Sequence, residues 1–197
     1  MKTILIDFDG TLANSIPLLY NTYLAFLAGF GQEGNLKEFQ ELNGPQVVSF
    51  IRILQIRYQL EGLTEQLAQS YRNQLEICYK NEVLPFPDAI AVIRKWDQQG
   101  RQLGIVTAAH LQLVEIFLNL HLPDIPFIIT TGEEVTRSKP DPAIYRLALQ
   151  KLSLSPQEAL ALEDSPNGIT AARGAGILTF PFRESWNAVD QWVEEHG

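Results

Sequence analysis

The sequence predicts an α/β protein with a doubly wound, Rossmann-like parallel sheet that is interrupted by an inserted helical module. In the second half of the chain, short apolar runs alternate with segments of helical periodicity, which is typical of a parallel sheet covered on both faces. Residues 14–84 show helical periodicity and no convincing strand. We therefore expect a core domain of residues 1–13 and 85–197, and a helical cap domain of residues 14–84.

The first strand and the helical insertion follow from local patterns. Residues 2–6 form a short apolar run that ends at a turn signal, as buried strands do. Apolar residues at helical spacing then predict helices over residues 16–27, 47–58 and 64–78. Residues 84–87 contain two prolines, each of which restricts its own backbone and that of the preceding residue, so they predict a hinge back into the core.

The rest of the chain alternates between strands and helices. A serine, a proline and a glutamate in residues 155–158 form a capping box. Pro142 is suited to the first turn of a helix, because its missing N–H has no partner there in any case. The predicted strands are residues 103–107, 127–130, 159–162 and 177–180, and the predicted helices are residues 89–96, 111–118, 142–148 and 166–173.

Composition limits the classes of function. The 197 residues include 46% hydrophobic and 19% charged residues, which is ordinary for a globular protein. A net charge of −8 argues against binding to nucleic acid, whose phosphates require a basic surface. A single cysteine excludes an intramolecular disulfide, and no stretch has the length of a signal peptide or membrane span. We expect a cytoplasmic protein, a monomer or weak dimer, that binds a small anionic molecule.

Two carboxylates lie one residue apart at the end of the first strand, in Asp7-Phe8-Asp9-Gly10-Thr11. Side chains alternate along a strand, so Asp7 and Asp9 are expected to point toward one pocket as the backbone turns at Gly10. A hard cation such as Mg²⁺ would relieve their repulsion. The alternative is an Asp-rich turn that caps the next helix.

A second acidic pair, Glu163 and Asp164, follows another predicted strand. Ligands of open α/β sheets bind outside the carboxyl ends of the strands, so this pair and the pair at Asp7 and Asp9 are expected to meet around one metal. Ser165 is a helix cap, and the alternative interpretation extends capping to the whole segment. Capping does not explain a preceding Glu-Asp pair at the end of an apolar strand.

Other candidate ligand-binding residues also follow strands or precede helices. Lys139, fixed by Pro140, is placed to hold a phosphate as a point charge, although most lysines are simply solvated. Thr107 ends a strand, and the free amides from Ala108 onward could bind anionic oxygens. A satisfied strand-end threonine is the alternative. His110 could reach an anionic substrate, but exposed histidines are common at helix starts, and that interpretation is favoured.

Taken together, these segments resemble the four ordered motifs of the haloacid dehalogenase (HAD) superfamily. The resemblance covers essentially the whole chain and is strongest to the phosphoglycolate phosphatase and β-phosphoglucomutase-like group, which carries a helical cap after the first motif. It implies a HAD core with an inserted α-helical cap. The segments that carry it are Asp7-Phe8-Asp9-Gly10-Thr11, Val106-Thr107, Lys139-Pro140 and Glu163-Asp164-Ser165.

The resemblance implies roles in phosphoryl transfer for five residues. Asp7 would be the nucleophile that forms an aspartyl-phosphate. Asp9 would act as general acid on the leaving oxygen and then as base for the hydrolytic water. Thr107 and the amide of Ala108 would bind phosphoryl oxygens. Lys139 would neutralise charge and restrain Asp7.

The resemblance also implies a Mg²⁺ cofactor. The ligands would be the carboxylates of Asp7 and Asp164 and the backbone carbonyl of Asp9. Glu163 would assist either directly or through a water molecule. Oxygen ligands of this kind suit a hard divalent cation.

Differences between this sequence and other enzymes of the superfamily indicate which of the superfamily's reactions to expect. Dehalogenases of this superfamily lack an aspartate at the position of Asp9, and phosphonatases carry a cap lysine that the first cap helix here lacks. Mutases have a histidine where this sequence has Leu19, and basic residues around the segment that matches residues 43–47, which has no charge. We therefore expect a phosphatase. A phosphosugar mutase and a non-catalytic binding module with this fold remain alternatives, and phosphoglycolate, a sugar phosphate or a nucleotide would each be an acceptable substrate.

Overall fold

The computed structural model describes residues 2–42 and 46–197, and its centre is a single five-stranded parallel sheet. The strand order is β3-β2-β1-β4-β5, so the first strand of the chain is the middle strand of the sheet. All residues of β1, β2 and β4 are buried, as expected for a sheet covered on both faces. The strands are β1 (Thr3–Ile6), β2 (Leu103–Thr107), β3 (Ile128–Thr131), β4 (Ala159–Glu163) and β5 (Leu178–Pro181).

Nine α-helices accompany these strands in the described part of the chain. The first four lie between β1 and α5, and no strand lies among the described residues of 14–84. The α/β fold class predicted from the sequence is confirmed. The helices are α1 (Ile16–Ala28), α2 (Leu36–Leu42), α3 (Val47–Tyr58), α4 (Thr64–Asn81), α5 (Ala89–Gln98), α6 (Leu111–His121), α7 (Ala143–Leu152), α8 (Pro166–Gly174) and α9 (Trp186–His196).

The sheet register places the strand ends side by side. Ile6 pairs with Ile105 of β2 on one side and with Leu162 of β4 on the other. The amide of Asp7 continues this ladder by donating to the carbonyl of Leu162 at 2.9 Å. Residues that follow β1, β2 and β4 therefore emerge at the same edge of the sheet.

Two helices were not predicted from the sequence. Helix α2 has only seven residues, and it begins where the side chain of Asn35 accepts a hydrogen bond from the amide of Glu38 at 3.0 Å. Helix α9 is capped by Ser185, whose hydroxyl accepts from the amide of Ala188 at 3.3 Å. Short helices of this kind depend on packing more than on propensity, so their sequence signal is weak.

One predicted capping box is observed, and one predicted helix start is shifted in the structure. The capping box of Ser155 and Glu158 is present, but it closes a single 3₁₀ turn that leads directly into β4. Pro142 is the N-cap of α7 and lies one position before the first helical residue. The shift at Pro142 is of one position, within the ordinary uncertainty of helix ends.

The chain leaves and re-enters the sheet region at adjacent points. The amide of Asn14 donates to the carbonyl of Leu84 at 2.9 Å, and the amide of Phe86 donates to the carbonyl of Leu12 at 3.1 Å. The two connections are therefore paired by backbone hydrogen bonds. The division into a core and a cap at these points stays a prediction.

None of the helices in residues 2–42 and 46–197 combines the length and the apolar character needed to cross a membrane.

Helix α9 packs against the loop that follows β1. Trp186 is 1% exposed, and its ring centroid lies 5.7 Å from that of Trp96. Its indole N–H donates to the carbonyl of Thr11 at 3.1 Å. The last helix of the chain therefore supports the first loop, across 175 residues of sequence.

We expect Trp186→Ala to lower the free energy of unfolding by about 3–5 kcal/mol, because it leaves a cavity and removes the hydrogen bond to Thr11. Trp192→Ala, on the same helix but only partly buried, is the matched control and should cost less. Urea unfolding of both variants measures the difference. Equal losses of unfolding free energy in the two variants would contradict a specific role of Trp186 in supporting the loop after β1.

Candidate active site

The loop after β1 directs both aspartates into one cavity. The carbonyl of Phe8 accepts hydrogen bonds from the amides of Leu12 and Ala13, at 3.0 and 2.9 Å, and Gly10 turns the chain with φ of +83°. The carboxylates of Asp7 and Asp9 both line a cavity of about 140 Å³ between the sheet edge and the helical insertion. The predicted convergence of this pair is therefore observed.

Asp164 lies against the same loop. A Cβ atom added to Gly10 would lie 2.3 Å from its Oδ2 atom, in a backbone conformation that residues other than glycine rarely adopt. Gly10 thus provides both the turn and the space for this carboxylate. The carboxylate of Asp164 therefore approaches Asp7 and Asp9 by packing closely against the backbone of Gly10.

Lys139 anchors the site from the opposite side. Its side chain is 7% exposed, and Nζ donates to Asp7 Oδ1 at 2.6 Å, to Glu163 Oε1 at 2.5 Å and to the carbonyl of Val106 at 3.2 Å. Burial disfavours its charge, but the carboxylates of Asp7 and Glu163 outweigh that effect and raise the pKa of Lys139. The lysine is therefore a fixed cation, not a solvated surface residue.

Glu163 holds this lysine in place. It is fully buried, and its Oε1 also accepts a hydrogen bond from the hydroxyl of Tyr145 at 2.8 Å. Its other oxygen accepts from the hydroxyl of Ser165 at 3.3 Å. Both carboxylate oxygens therefore have protein partners, and its role as a metal ligand stays a prediction.

Asp9 has a different environment from Asp7. Its Oδ1 accepts a hydrogen bond from Ser15 Oγ at 2.5 Å and a second from the hydroxyl of Tyr79. Burial raises the pKa of Asp9, and these two hydrogen bonds only partly oppose that rise. Asp9 has no contact with the ammonium of Lys139 among its hydrogen bonds in the described structure. Asp7 therefore accepts a hydrogen bond from a cation, whereas Asp9 accepts hydrogen bonds from two hydroxyl groups.

Tyr79 is a site residue that the sequence analysis missed. It lies near the end of α4, and its ring stacks on Phe8 with a centroid distance of 5.7 Å. The predicted helix of residues 64–78 ended one residue before Tyr79, although the four-residue spacing of Tyr71, Leu75 and Tyr79 is a helical core pattern that could have indicated burial. That contact joins residues 70 positions apart.

The acidic cluster fits a divalent cation. Carboxylate oxygens of Asp7, Glu163 and Asp164 all lie within 4.8 Å of one another. Burial, together with the charge of Glu163, raises the pKa of Asp7 well above its ordinary value and that of Asp164 to about 6. A cation would relieve this repulsion, and an all-oxygen donor set suits Mg²⁺.

Thr107, at the end of β2, and Ala108 and His110, which follow it, also line the cavity. Thr107 Oγ1 accepts a hydrogen bond from the amide of Ala109 at 3.0 Å. His110 Nε2 lies 3.0 Å from a carboxylate oxygen of Glu133, and its Nδ1 accepts from the amide of Gln112. The histidine is therefore already engaged with a carboxylate.

The uncharged segment 43–47 falls partly outside the described residues, which exclude residues 43–45. Gln46 donates from its side-chain amide to the carbonyl of Gly132, across the gap between the insertion and β3. Val47 is the first residue of α3 and lines the cavity. Leu19 of α1 lines the cavity as well.

Comparison with known proteins gives one consistent picture. Residues 4–181 match the family model described as haloacid dehalogenase-like hydrolase. Protein CbbY of Cereibacter sphaeroides is 29% identical over 192 residues, which cover 90% of this chain and 82% of that protein. Hexitol phosphatase A of Escherichia coli is 28% identical over 182 residues, which cover 89% of this chain and 80% of that protein.

A solved structure agrees with these relatives. It is a CbbY variant from Rhodobacter sphaeroides in complex with xylulose-(1,5)-bisphosphate. It superposes with a TM-score of 0.79 at 28% identity, and the match covers 95% of this chain and 89% of that chain.

We expect Gly168→Ala to destabilise the protein by about 1–3 kcal/mol, because the new methyl group would lie 1.9 Å from a carboxylate oxygen of Glu163 and displace it from Lys139. Gly174→Ala on the same helix is the control, since its methyl group would make an ordinary 3.5 Å contact with Pro142. Thermal unfolding measures both. A Gly168→Ala protein as stable as Gly174→Ala would contradict the close packing behind Glu163.

Proposed function

Because this chain belongs to the haloacid dehalogenase-like hydrolase family, we propose that it is a Mg²⁺-dependent phosphatase that hydrolyses a small-molecule phosphate monoester through an aspartyl-phosphate on Asp7. The observation that carries the proposal is the difference between the environments of Asp7 and Asp9. Asp7 contacts the ammonium of Lys139, whereas Asp9 is held by hydroxyl groups. Curated relatives named as phosphatases support the same reaction class.

In the first step, a carboxylate oxygen of Asp7 attacks the phosphorus atom, and the bond from phosphorus to the leaving oxygen breaks. The contact with Lys139 keeps Asp7 oriented and reduces repulsion between its carboxylate and the incoming phosphoryl oxygens. Asp9 gives its proton to the leaving oxygen. The raised pKa of Asp9 favours the protonated form that this role requires.

In the second step, Asp9 takes a proton from a water molecule, which attacks the phosphorus atom of the aspartyl-phosphate. The bond between phosphorus and Asp7 breaks, and inorganic phosphate is released with the carboxylate of Asp7 regenerated. Thr107 and the amide of Ala108 would hold the phosphoryl oxygens in both steps, and the position of both residues in the cavity lining supports this role.

The carboxylates of Asp7 and Asp164, with the Asp9 carbonyl, would hold the Mg²⁺ ion, and Glu163 would stay bonded to Lys139 or assist through water. When bound, the ion supplies positive charge that shields the phosphoryl group from these carboxylates. The raised pKa values of Asp7 and Asp164 in the protein alone support the need for that charge.

Hydrolysis is preferred to mutase chemistry. Leu19, at the position of the mutase histidine, lies in the cavity wall, where it offers no proton donor or charge. We also propose that residues 14–84 act as a cap on the core formed by residues 1–13 and 85–197, and that the paired connections near Asn14 and Leu84 are its hinges. The reaction by itself admits phosphoglycolate and other small phosphate esters as substrates, since only the phosphoryl group is common to all of them.

The test is hydrolysis of a generic aryl phosphate and a broad phosphate panel, with Mg²⁺ and with chelator. We expect Asp7→Asn to abolish metal-dependent turnover, because the amide is not a nucleophile. Asp124→Asn, at an exposed surface ion pair, is the control and should keep full activity. Absence of any metal-dependent activity in the wild type would overturn the proposal.

Asp9→Asn tests the acid/base assignment separately. We expect it to fold normally and to lose roughly 10²–10⁴-fold in kcat, because the leaving oxygen loses its proton donor. Steady-state kinetics with circular dichroism as the folding check measure this. Full turnover in the variant would remove Asp9 from the mechanism.

Tyr79→Phe tests the link between α4 and Asp9. The variant keeps the ring that stacks on Phe8 but loses the hydroxyl, so we expect kcat to fall roughly tenfold through looser orientation of Asp9. Tyr71→Phe removes a hydroxyl from the same helix and the same cavity without touching Asp9, and should change kcat less. Equal effects in the two variants would contradict the positioning role.

A further inference from the structure

The wall of the cavity that faces the acidic cluster is almost entirely apolar. All of its residues come from the helical insertion, and none of them carries a charge. Its polar side-chain atoms in the described structure are two tyrosine hydroxyls, of which that of Tyr79 already donates to Asp9. The wall consists of Leu19, Phe39, Leu42, Val47, Phe50, Tyr71, Leu75 and Tyr79.

Aromatic packing supports this wall from behind. The Phe50 ring packs on Tyr71 with a centroid distance of 5.4 Å, and Tyr23 contacts both Phe50 and Phe39 at 6.1 and 5.7 Å. Tyr23 is itself fully buried. The wall is therefore one face of the hydrophobic core of the insertion.

The cationic side chains of the insertion point elsewhere. Residues 14–84 contain five, Lys37, Arg52, Arg57, Arg72 and Lys80, and none of them lines the cavity. Arg57 and Lys80 form ion pairs with Glu38 and Glu76 on the insertion itself, at 3.3 and 3.5 Å. Residues 43–45 are asparagine, glycine and proline, so they add no cation by sequence.

The core side offers no spare cation among the described lining residues either. Lys139 already contacts two carboxylates, and His110 contacts Glu133. A second phosphate on the substrate would therefore lose its hydration without gaining a charged partner, which is strongly unfavourable. Hydroxyl groups facing the apolar wall would likewise lose their hydrogen bonds to water.

We propose that the substrate carries a single phosphate on an uncharged, predominantly apolar leaving group, such as an aryl or short alkyl alcohol. This inference rests on the proposed phosphatase function and adds the class of leaving group. The end of the cavity lined by Asp7, Thr107 and Lys139 takes the phosphoryl group, while the apolar wall formed by α1, α2, α3 and α4 covers the leaving group. Each methylene group buried against that wall favours binding, since its transfer from water is favourable.

Two matched pairs of substrates test the proposal by kcat/KM in the presence of Mg²⁺. Hexyl phosphate and 1,6-hexanediol bisphosphate differ only in a terminal phosphate, and propyl phosphate and glycerol 1-phosphate differ only in two hydroxyl groups. We expect the alkyl ester of each pair to be preferred by about tenfold or more. Equal rates, or a preference for the charged or hydroxylated ester, would overturn the leaving-group assignment while leaving the phosphatase function intact.

Failure of the proposed function gives a different result. In that case no ester of either pair is hydrolysed, or hydrolysis persists in Asp7→Asn, and the leaving-group inference falls with it. Hydrolysis that requires both Asp7 and Mg²⁺ establishes the reaction, whichever ester is preferred.

A change in the wall tests which residues set the preference. Val47→Lys places an ammonium at a partly exposed lining position, and we expect it to shift the ratio of the two six-carbon esters toward the bisphosphate by about tenfold. Val48→Lys makes the same change at the neighbouring, partly exposed position that does not line the cavity, and should leave the ratio unchanged. Should Val47→Lys fail to fold, Leu19→Lys with Leu18→Lys as its control replaces the pair. An unchanged ratio in a folded lining variant contradicts the proposal.

Discussion

The ammonium of Lys139 is the interaction on which the site depends, because it lies between the buried carboxylates of Asp7 and Glu163. Without it, several acidic groups would be buried together with no compensating charge, which is strongly destabilising. Tyr145 and the close approach of Gly168 fix Glu163, which in turn fixes the lysine. The excess of carboxylates that remains is what makes the site receptive to a divalent cation.

The helical insertion contacts the carboxylate of Asp9 and also lines the cavity. Tyr79 donates a hydrogen bond to the carboxylate of Asp9 and packs on Phe8, so one helix contacts two neighbouring residues of the loop after β1. The same helix presents Leu75 to the cavity. Orientation of the proposed acid therefore depends on α4, which also supplies part of the apolar wall, and a movement of this helix would alter both.

The fold was largely readable from the sequence. Alternating strand and helix patterns predicted the parallel sheet, since a buried strand is a local apolar run and an amphipathic helix is a local period. Helices α2 and α9 were missed because their stability comes from packing, as Trp186 shows by contacting Trp96 and Thr11 far away in the chain. The position of β1 at the centre of the sheet was likewise decided by pairing between distant segments.

The sequence by itself determined which residues the site contains at the strand ends, because Asp7, Asp9 and Asp164 follow apolar runs and the sheet gathers strand ends at one edge. Only the tertiary structure decided what surrounds them. The partnership of Tyr79 with Asp9 and the burial of Glu163 against Lys139 join residues 70 and 24 positions apart. No local pattern encodes such contacts, since they arise when independently formed elements pack together.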